Sequence, residues 1–215
     1  MTWCKICGIT DSNDVRMIAE AGVDAIGLNF YPPSPRKVSV DQAAEISALV
    51  AATTPSIQQV GLFVDAEPAS IREVLQTCAL DMLQFHGDEP PHYCEQFGLP
   101  YIKVLRMRPG TDVRGAAQLY SGAWGLLLDA FVEGLPGGTG QRIDLGQWPF
   151  ELADSTRLVL AGGLNPDNVA AAVRAVAPFG VDAASGVEGS QKGRKDLSAV
   201  NKFLTEVRNV RAHED

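Results

Sequence analysis

Apolar residues recur along the chain in eight short runs, most of them followed by a longer stretch with helical spacing or helix-start residues. The runs are Trp3 to Cys7, Ala25 to Phe30, Gln59 to Val64, Met82 to His86, Tyr101 to Leu105, Gly125 to Ala130, Leu158 to Ala161 and Gly180 to Ala184. Their brevity and β-branched content predict strands. Helix patterns fall at Asp11 to Ala21, Asp41 to Ala51, Pro68 to Cys78, Asn165 to Ala177 and Asp196 to Arg211. Strands that alternate with helices pair in parallel, because each helix returns the chain to the end from which it left. Eight such units predict an α/β fold of one domain over residues 1–215: a single (β/α)8 TIM barrel, eight parallel strands with outer helices. An open doubly wound sheet is the competing arrangement. The sixth unit is the weakest: its strand is clear, but Glu133 to Gln147 is rich in glycine and proline, so its helix is short, late or replaced by loop.

Composition narrows the class. Hydrophobic residues make up 46% of the 215 and charged residues 20%, enough to bury a core without disulfides or a structural metal. Met1 to Thr10 lacks the apolar segment of a secretory signal, and no run approaches the roughly 18 apolar residues of a membrane span. The expectation is a cytoplasmic protein with no membrane partner. Cys4, Cys7, Cys78 and Cys94 are scattered, a pattern that suits thiols in a reducing compartment better than a disulfide framework. The formal charge of -8 repels polyanions and argues against a nucleic-acid partner. A small anionic, phosphorylated substrate then needs local positive potential, from an arginine or from helix N-termini.

In a parallel barrel the active site lies at the C-terminal strand ends, which singles out Cys7, Asn29, His86, Asp129, Gly162, Gly163, Ser185 and Gly186. Strand alternation puts Trp3, Lys5 and Cys7 on one face and Cys4 and Ile6 on the other, so the two cysteines diverge and a redox or zinc pair is disfavoured. No metal is expected. Cys7 reads either as a buried inert thiol or as a nucleophile or base. Asp129 follows the apolar run Gly125-Leu-Leu-Leu128; it is either a turn or cap residue or a partly desolvated carboxyl suited to general-acid work. The glycine-containing turns Leu160-Ala-Gly-Gly-Leu164 and Ala184-Ser-Gly-Val-Glu188 follow the seventh and eighth strands. There Gly162, Gly163, Ser185 and Gly186 offer backbone N–H groups to a phosphate.

Eight landmarks in order carry a resemblance through nearly the whole chain: Lys5-Ile-Cys-Gly-Ile-Thr10, Ser34-Pro-Arg36, Gly61-Leu-Phe-Val64, Leu83-Gln-Phe-His-Gly87, Leu128-Asp129, Gly137-Gly-Thr-Gly140, Leu160-Ala-Gly-Gly-Leu-Asn-Pro166 and Val181-Asp-Ala-Ala-Ser-Gly-Val-Glu188. The sequence resembles the phosphoribosylanthranilate isomerase family. The resemblance implies an Amadori rearrangement of N-(5'-phosphoribosyl)anthranilate to 1-(2-carboxyphenylamino)-1-deoxyribulose 5-phosphate, a step of tryptophan biosynthesis, with no cofactor. It implies Cys7 as general base, Asp129 as general acid and Arg36 as the contact of the anthranilate carboxylate, and it puts His86 and Asp182 at substrate-site positions. A cysteine of ordinary pKa is only slightly thiolate at neutral pH, so local positive potential is expected to depress the pKa of Cys7, with Lys5 as the candidate source.

The chain departs from the family pattern at two places. Ala184 stands where the family often has serine, and Gln141-Arg-Ile-Asp-Leu145 differs from an aromatic-containing version, which bears on loop closure. Rival readings are another sugar-phosphate isomerase or epimerase and a noncatalytic barrel that binds a phosphorylated metabolite. Only His86, His92 and His213 are available as histidines, without metal-ligand spacing. The expectation is a monomer or a homodimer, between which the apolar pattern does not choose, and a second, imidazole-carboxamide aldose substrate is left open.

Overall fold

The computed structural model describes residues 1–130 and 145–211. Gly137 to Gly140, Gln141 to Asp144 and His213 lie outside the described residues. Eight strands, β1 (Trp3–Cys7), β2 (Ala25–Asn29), β3 (Gln58–Phe63), β4 (Met82–Phe85), β5 (Tyr101–Met107), β6 (Gly125–Ala130), β7 (Leu158–Leu160) and β8 (Gly180–Ala183), follow the chain around a closed barrel. All neighbours pair in parallel, and β8 closes on β1 through Trp3↔Gly180, Cys4↔Val181, Lys5↔Asp182 and Ile6↔Ala183. The open-sheet alternative is thereby excluded.

The helices are α1 (Ser12–Ala21), α2 (Val40–Thr53), α3 (Pro68–Thr77), α4 (Pro91–Glu95), α5 (Val113–Leu119), α6 (Val169–Val176) and α7 (Leu197–Arg211). Local chemistry sets several of their ends. Asp11 caps α1 by accepting from Asn13 N at 2.8 Å, and Gly22 ends it in the left-handed region, φ 80°. Ser39 and Gln42 form a reciprocal capping box on α2. The short α4 and α5 were not apparent in the apolar pattern. After β6 the first described residues form two 3-10 turns, Leu145–Gln147 and Phe150–Leu152.

Two apolar layers follow from the strand alternation. Ala25, Val60, Met82, Ile102, Val104, Leu127, Val159 and Ala161 fill the barrel interior. The alternate residues, among them Cys4, Ile6, Leu28, Phe85, Leu128 and Val181, pack outward against Ile18, Ile46, Val173 and Phe203 of the helices. Cys4 and Cys7 therefore point to opposite sides of β1, and all four cysteines are free and buried. Among the described residues no helix is long and apolar enough to cross a membrane.

Candidate active site

At the C-terminal end of the barrel one cavity is lined by Cys7, Asn29, Arg36, Gln84, His86, Asp129, Gly162, Gly163, Asp182 and Ser185, with Leu62, Leu127 and Ala161 as apolar floor. All of the candidates named from sequence except Gly186 therefore share one lining. Gly186 sits in the adjoining 3-10 turn Ser185–Val187, against the Leu164 carbonyl, where a Cβ has no room.

Cys7 is the last inward residue of β1, and its thiol lies against β2 at Gly27. A Cβ on Gly27 would stand 2.7 Å from Cys7 Sγ, so glycine there makes the space the thiol occupies. One inward position down the same face, Lys5 is fully buried with Nζ 2.9 Å from Asp182 Oδ1. The paired register of Lys5 and Asp182 puts both side chains on the inner face. Burial raises the pKa of Cys7; the charges of Lys5 and Lys195 lower it and that of Asp182 raises it further. The net direction is upward. The expected depression by Lys5 is thus a real component that burial outweighs, because a thiolate loses more by leaving water than the two ammonium groups return.

Asp129 ends β6 across the mouth, buried, with Oδ2 3.4 Å from His86 Nε2. The backbone of His86 is fixed on both sides: its backbone N–H donates to the Phe63 carbonyl at 2.9 Å, and Arg106 Nη2 donates to its backbone carbonyl at 2.9 Å. Gln84 lies one inward position below His86, and its side-chain carbonyl is buried without a partner among the described residues. Gln84 was not picked out from sequence, although its spacing of two from His86 places both on one strand face.

The loop after β2 is shaped by its own polar residues. Asn29 Oδ1 accepts from Tyr31 N at 2.9 Å and its Nδ2 donates to Ser34 Oγ at 3.1 Å, which in turn accepts from Arg36 N at 3.1 Å. This brings the arginine over Gly8, where a Cβ would meet its stem 2.5 Å away. The Arg36 guanidinium pairs with Glu188, and Lys195 joins the same carboxylate. Burial acts to raise the Glu188 pKa, yet the hydrogen bond from Arg36 and the charge of Lys195 outweigh it and hold the carboxyl below its ordinary value. Neither Glu188 nor Lys195 was a candidate from sequence, since their meeting depends on how the segment after β8 turns back.

Gly162 and Gly163, at φ 86° and 62°, carry the chain from β7 through a turn that L side chains resist. The backbone N–H groups of Gly162, Gly163, Ser185 and Gly186 donate to no other described residue. Two loops whose N–H groups have no partner among the described residues, side by side at the barrel mouth, form an anion-receptive wall.

A buried thiol and a buried carboxyl on opposite walls, an arginine fork and an amide-lined rim make an arrangement for proton transfer on an anionic substrate. Residues 4–206 match the family model described as N-(5'phosphoribosyl)anthranilate (PRA) isomerase. A relative of that name from Pseudomonas fluorescens (strain SBW25) is 51% identical over 205 residues, covering 95% of each chain. A crystal structure of phosphoribosyl anthranilate isomerase in complex with reduced 1-(o-carboxyphenylamino)-1-deoxyribulose 5-phosphate superposes with a TM-score of 0.83 at 35% identity, covering 97% of this chain and all of that one. The enzyme from Thermotoga maritima gives 0.86 at 35% identity with the same coverage. With the match spanning the barrel from β1 to α7, the chain belongs to the N-(5'-phosphoribosyl)anthranilate isomerase family.

Proposed function

We propose that the protein converts N-(5'-phosphoribosyl)anthranilate to 1-(2-carboxyphenylamino)-1-deoxyribulose 5-phosphate in tryptophan biosynthesis, with Asp129 as general acid and Cys7 as general base. The observation that carries this reading is the convergence of β1 and β6 ends on one cavity, so that Cys7 and Asp129 face a common substrate from different walls. Asp129 gives a proton to the ribose ring oxygen as the bond from that oxygen to C1' breaks, and the anthranilate nitrogen lone pair closes a protonated Schiff base. Cys7 as thiolate takes the C2' proton, the electrons form the C1'–C2' double bond, and the nitrogen becomes neutral. The enolamine then gains a proton at C1' and loses one from the C2' hydroxyl to give the ketone. Atoms balance without an external oxidant or reductant.

The charges of Lys5 and Lys195 favour the reactive thiolate, and base catalysis draws on the minor thiolate fraction that burial leaves. The fork of Arg36 suits the planar anthranilate carboxylate. The N–H groups of Gly162, Gly163, Ser185 and Gly186 suit the 5'-phosphate. His86 supports Asp129, and Asp182 supports Lys5 beneath Cys7. The same reading takes residues 1–215 as one barrel domain, supported by the β1·β8 seam, and the site of action as the cytoplasm, supported by four free cysteines.

The test is turnover of freshly generated phosphoribosylanthranilate by the purified protein, with Cys7→Ala in parallel. Conversion by the wild type and its near loss in the variant is the expected outcome. A folded wild type that binds the substrate without converting it would overturn the isomerase reading and favour a binding protein.

A further inference from the structure

The Arg36 guanidinium is held by groups of the protein itself. Its Nε donates to Glu188 Oε1 at 2.6 Å and its Nη2 to Oε2 at 2.9 Å. Lys195 Nζ donates to the same Oε1 at 3.1 Å and to the Ala184 carbonyl at 3.0 Å. The side chains of Arg36, Glu188 and Lys195 are 9%, 5% and 0% exposed. Glu188 and Lys195 face each other across an isolated antiparallel bridge, and the Lys195 N–H is tied at 3.0 Å to the buried Asp14 at the start of α1. The carboxylate is therefore fixed by backbone on the β8 side, while the arginine arrives from the loop after β2.

We infer that Glu188 is a positioning residue for Arg36: it grips one edge of the guanidinium and turns the remaining N–H donors to the cavity, where they meet the substrate's ring carboxylate. A fork-to-fork pair uses two of the five guanidinium protons and fixes the plane of the group. The stem is held at its other end by close packing on Gly8. Clamped at both ends, a side chain that otherwise has several rotatable bonds is ordered in advance, so binding no longer carries that entropy loss. Two cations converge on one carboxylate, which leaves positive charge at the wall for an incoming anion. Removing Glu188 sets Arg36 and Lys195 against each other and frees the fork.

This inference rests on the proposed substrate, and its test separates the two. Wild type, Glu188→Gln, Arg36→Met and the double variant are titrated by calorimetry with reduced 1-(o-carboxyphenylamino)-1-deoxyribulose 5-phosphate and with the same compound lacking its ring carboxylate; kcat and KM are measured alongside. Glu188→Gln is expected to weaken the carboxylate ligand about 10-fold, the size expected for a hydrogen bond to a charged group, and to raise KM similarly with kcat changed by less than about threefold. The ligand without carboxylate binds all four proteins alike, and Glu188→Gln adds nothing once Arg36 is gone. Equal weakening of both ligands, or losses that multiply in the double variant, would show a general structural role and overturn the inference. Tighter binding by Glu188→Gln would also overturn it, with Glu188 then a competitor for Arg36. Should Glu188→Gln not fold by circular dichroism, Glu188→Asp keeps the charge for Lys195 but withdraws it from the fork, and the same selective loss is required. A wild type that binds the reduced product but does not turn over the substrate fails as an isomerase, and the Glu188 comparison still stands or falls on binding.

Discussion

At the residue scale the proposed base and acid, Cys7 and Asp129, are each tested by replacement. General acid and base groups each contribute on the order of 100- to 10,000-fold. Cys7→Ala and Asp129→Asn should accordingly each lower kcat by at least about 100-fold while the circular dichroism spectrum stays that of the wild type; a loss of less than about tenfold in either would remove that residue from the chemistry. Cys7 also has a titration to check. Burial holds its pKa above the ordinary 9.0, so the thiolate of the free protein grows in only above that pH. The ultraviolet thiolate absorbance of wild type minus Cys7→Ser should be silent at pH 8 and rise above pH 9, and Lys195→Met should push it higher still because a cation that favours the thiolate is gone. A thiolate signal already complete at pH 8 would contradict the burial argument. The places of Cys7 and Asp129 in the cavity lining were legible because each stands at the end of an apolar run. Gln84 sat inside such a run, where a polar residue carries no end signal, and Lys195 acquires its role only through contacts with Glu188 and the Ala184 carbonyl.

At the element scale the apolar pattern located all eight strands, with ends displaced by at most two residues. The period of two in β1 correctly separated Cys4 from Cys7, because a parallel strand buried on both faces still alternates between barrel interior and helix layer. Helices α4 and α5 escaped because five and seven residues are too few turns to show a period. What the pattern could not show is how β4 is anchored. Lys103 points outward from β5, 3% exposed at its side chain, and donates to Glu89 Oε2 at 2.7 Å and to the Gly87 carbonyl at 2.6 Å. Glu89 Oε1 in turn accepts from Asp65 N at 2.8 Å. One buried pair thus ties β5 to the segments that follow β3 and β4. Lys103→Met leaves the Glu89 carboxylate buried without its cation and should destabilise the fold by about 3–5 kcal/mol; Lys103→Met with Glu89→Leu should recover part of that loss. Urea unfolding of the three proteins measures it, and an unchanged single variant would mean that water reaches Glu89.

At the scale of the whole molecule, the closed barrel separates what holds it together from what reacts. The end opposite the active site carries its own aromatic cluster: Trp124 lies 5.2 Å from Trp3 and 5.4 Å from Phe179 between ring centroids, with the Arg157 guanidinium 5.2 Å above it. Trp124 directly precedes β6 and stands five residues before Asp129, about 16 Å at the usual rise of a strand. Its backbone N–H bonds the Tyr101 carbonyl at 2.8 Å, a bond that alanine keeps. Trp124→Ala should therefore remove packing alone, at a cost of about 2 kcal/mol, less than for a fully buried tryptophan because this one is only half-buried. Since the strands are braced by the interior layer of Val60, Met82, Ile102, Leu127 and Val159, the loss should not reach the mouth, and kcat/KM at 25 °C should stay within about twofold of wild type. Asp129→Asn is the mirror case: activity lost, denaturant midpoint kept or raised, because a buried carboxyl placed for chemistry contributes little to packing. Measuring urea midpoint and kcat/KM on the same preparations decides it. If Trp124→Ala lowers both together, the two ends of this barrel are mechanically coupled, and the rigidity of the acid and base positions depends on the far end of β6 rather than on the interior layer.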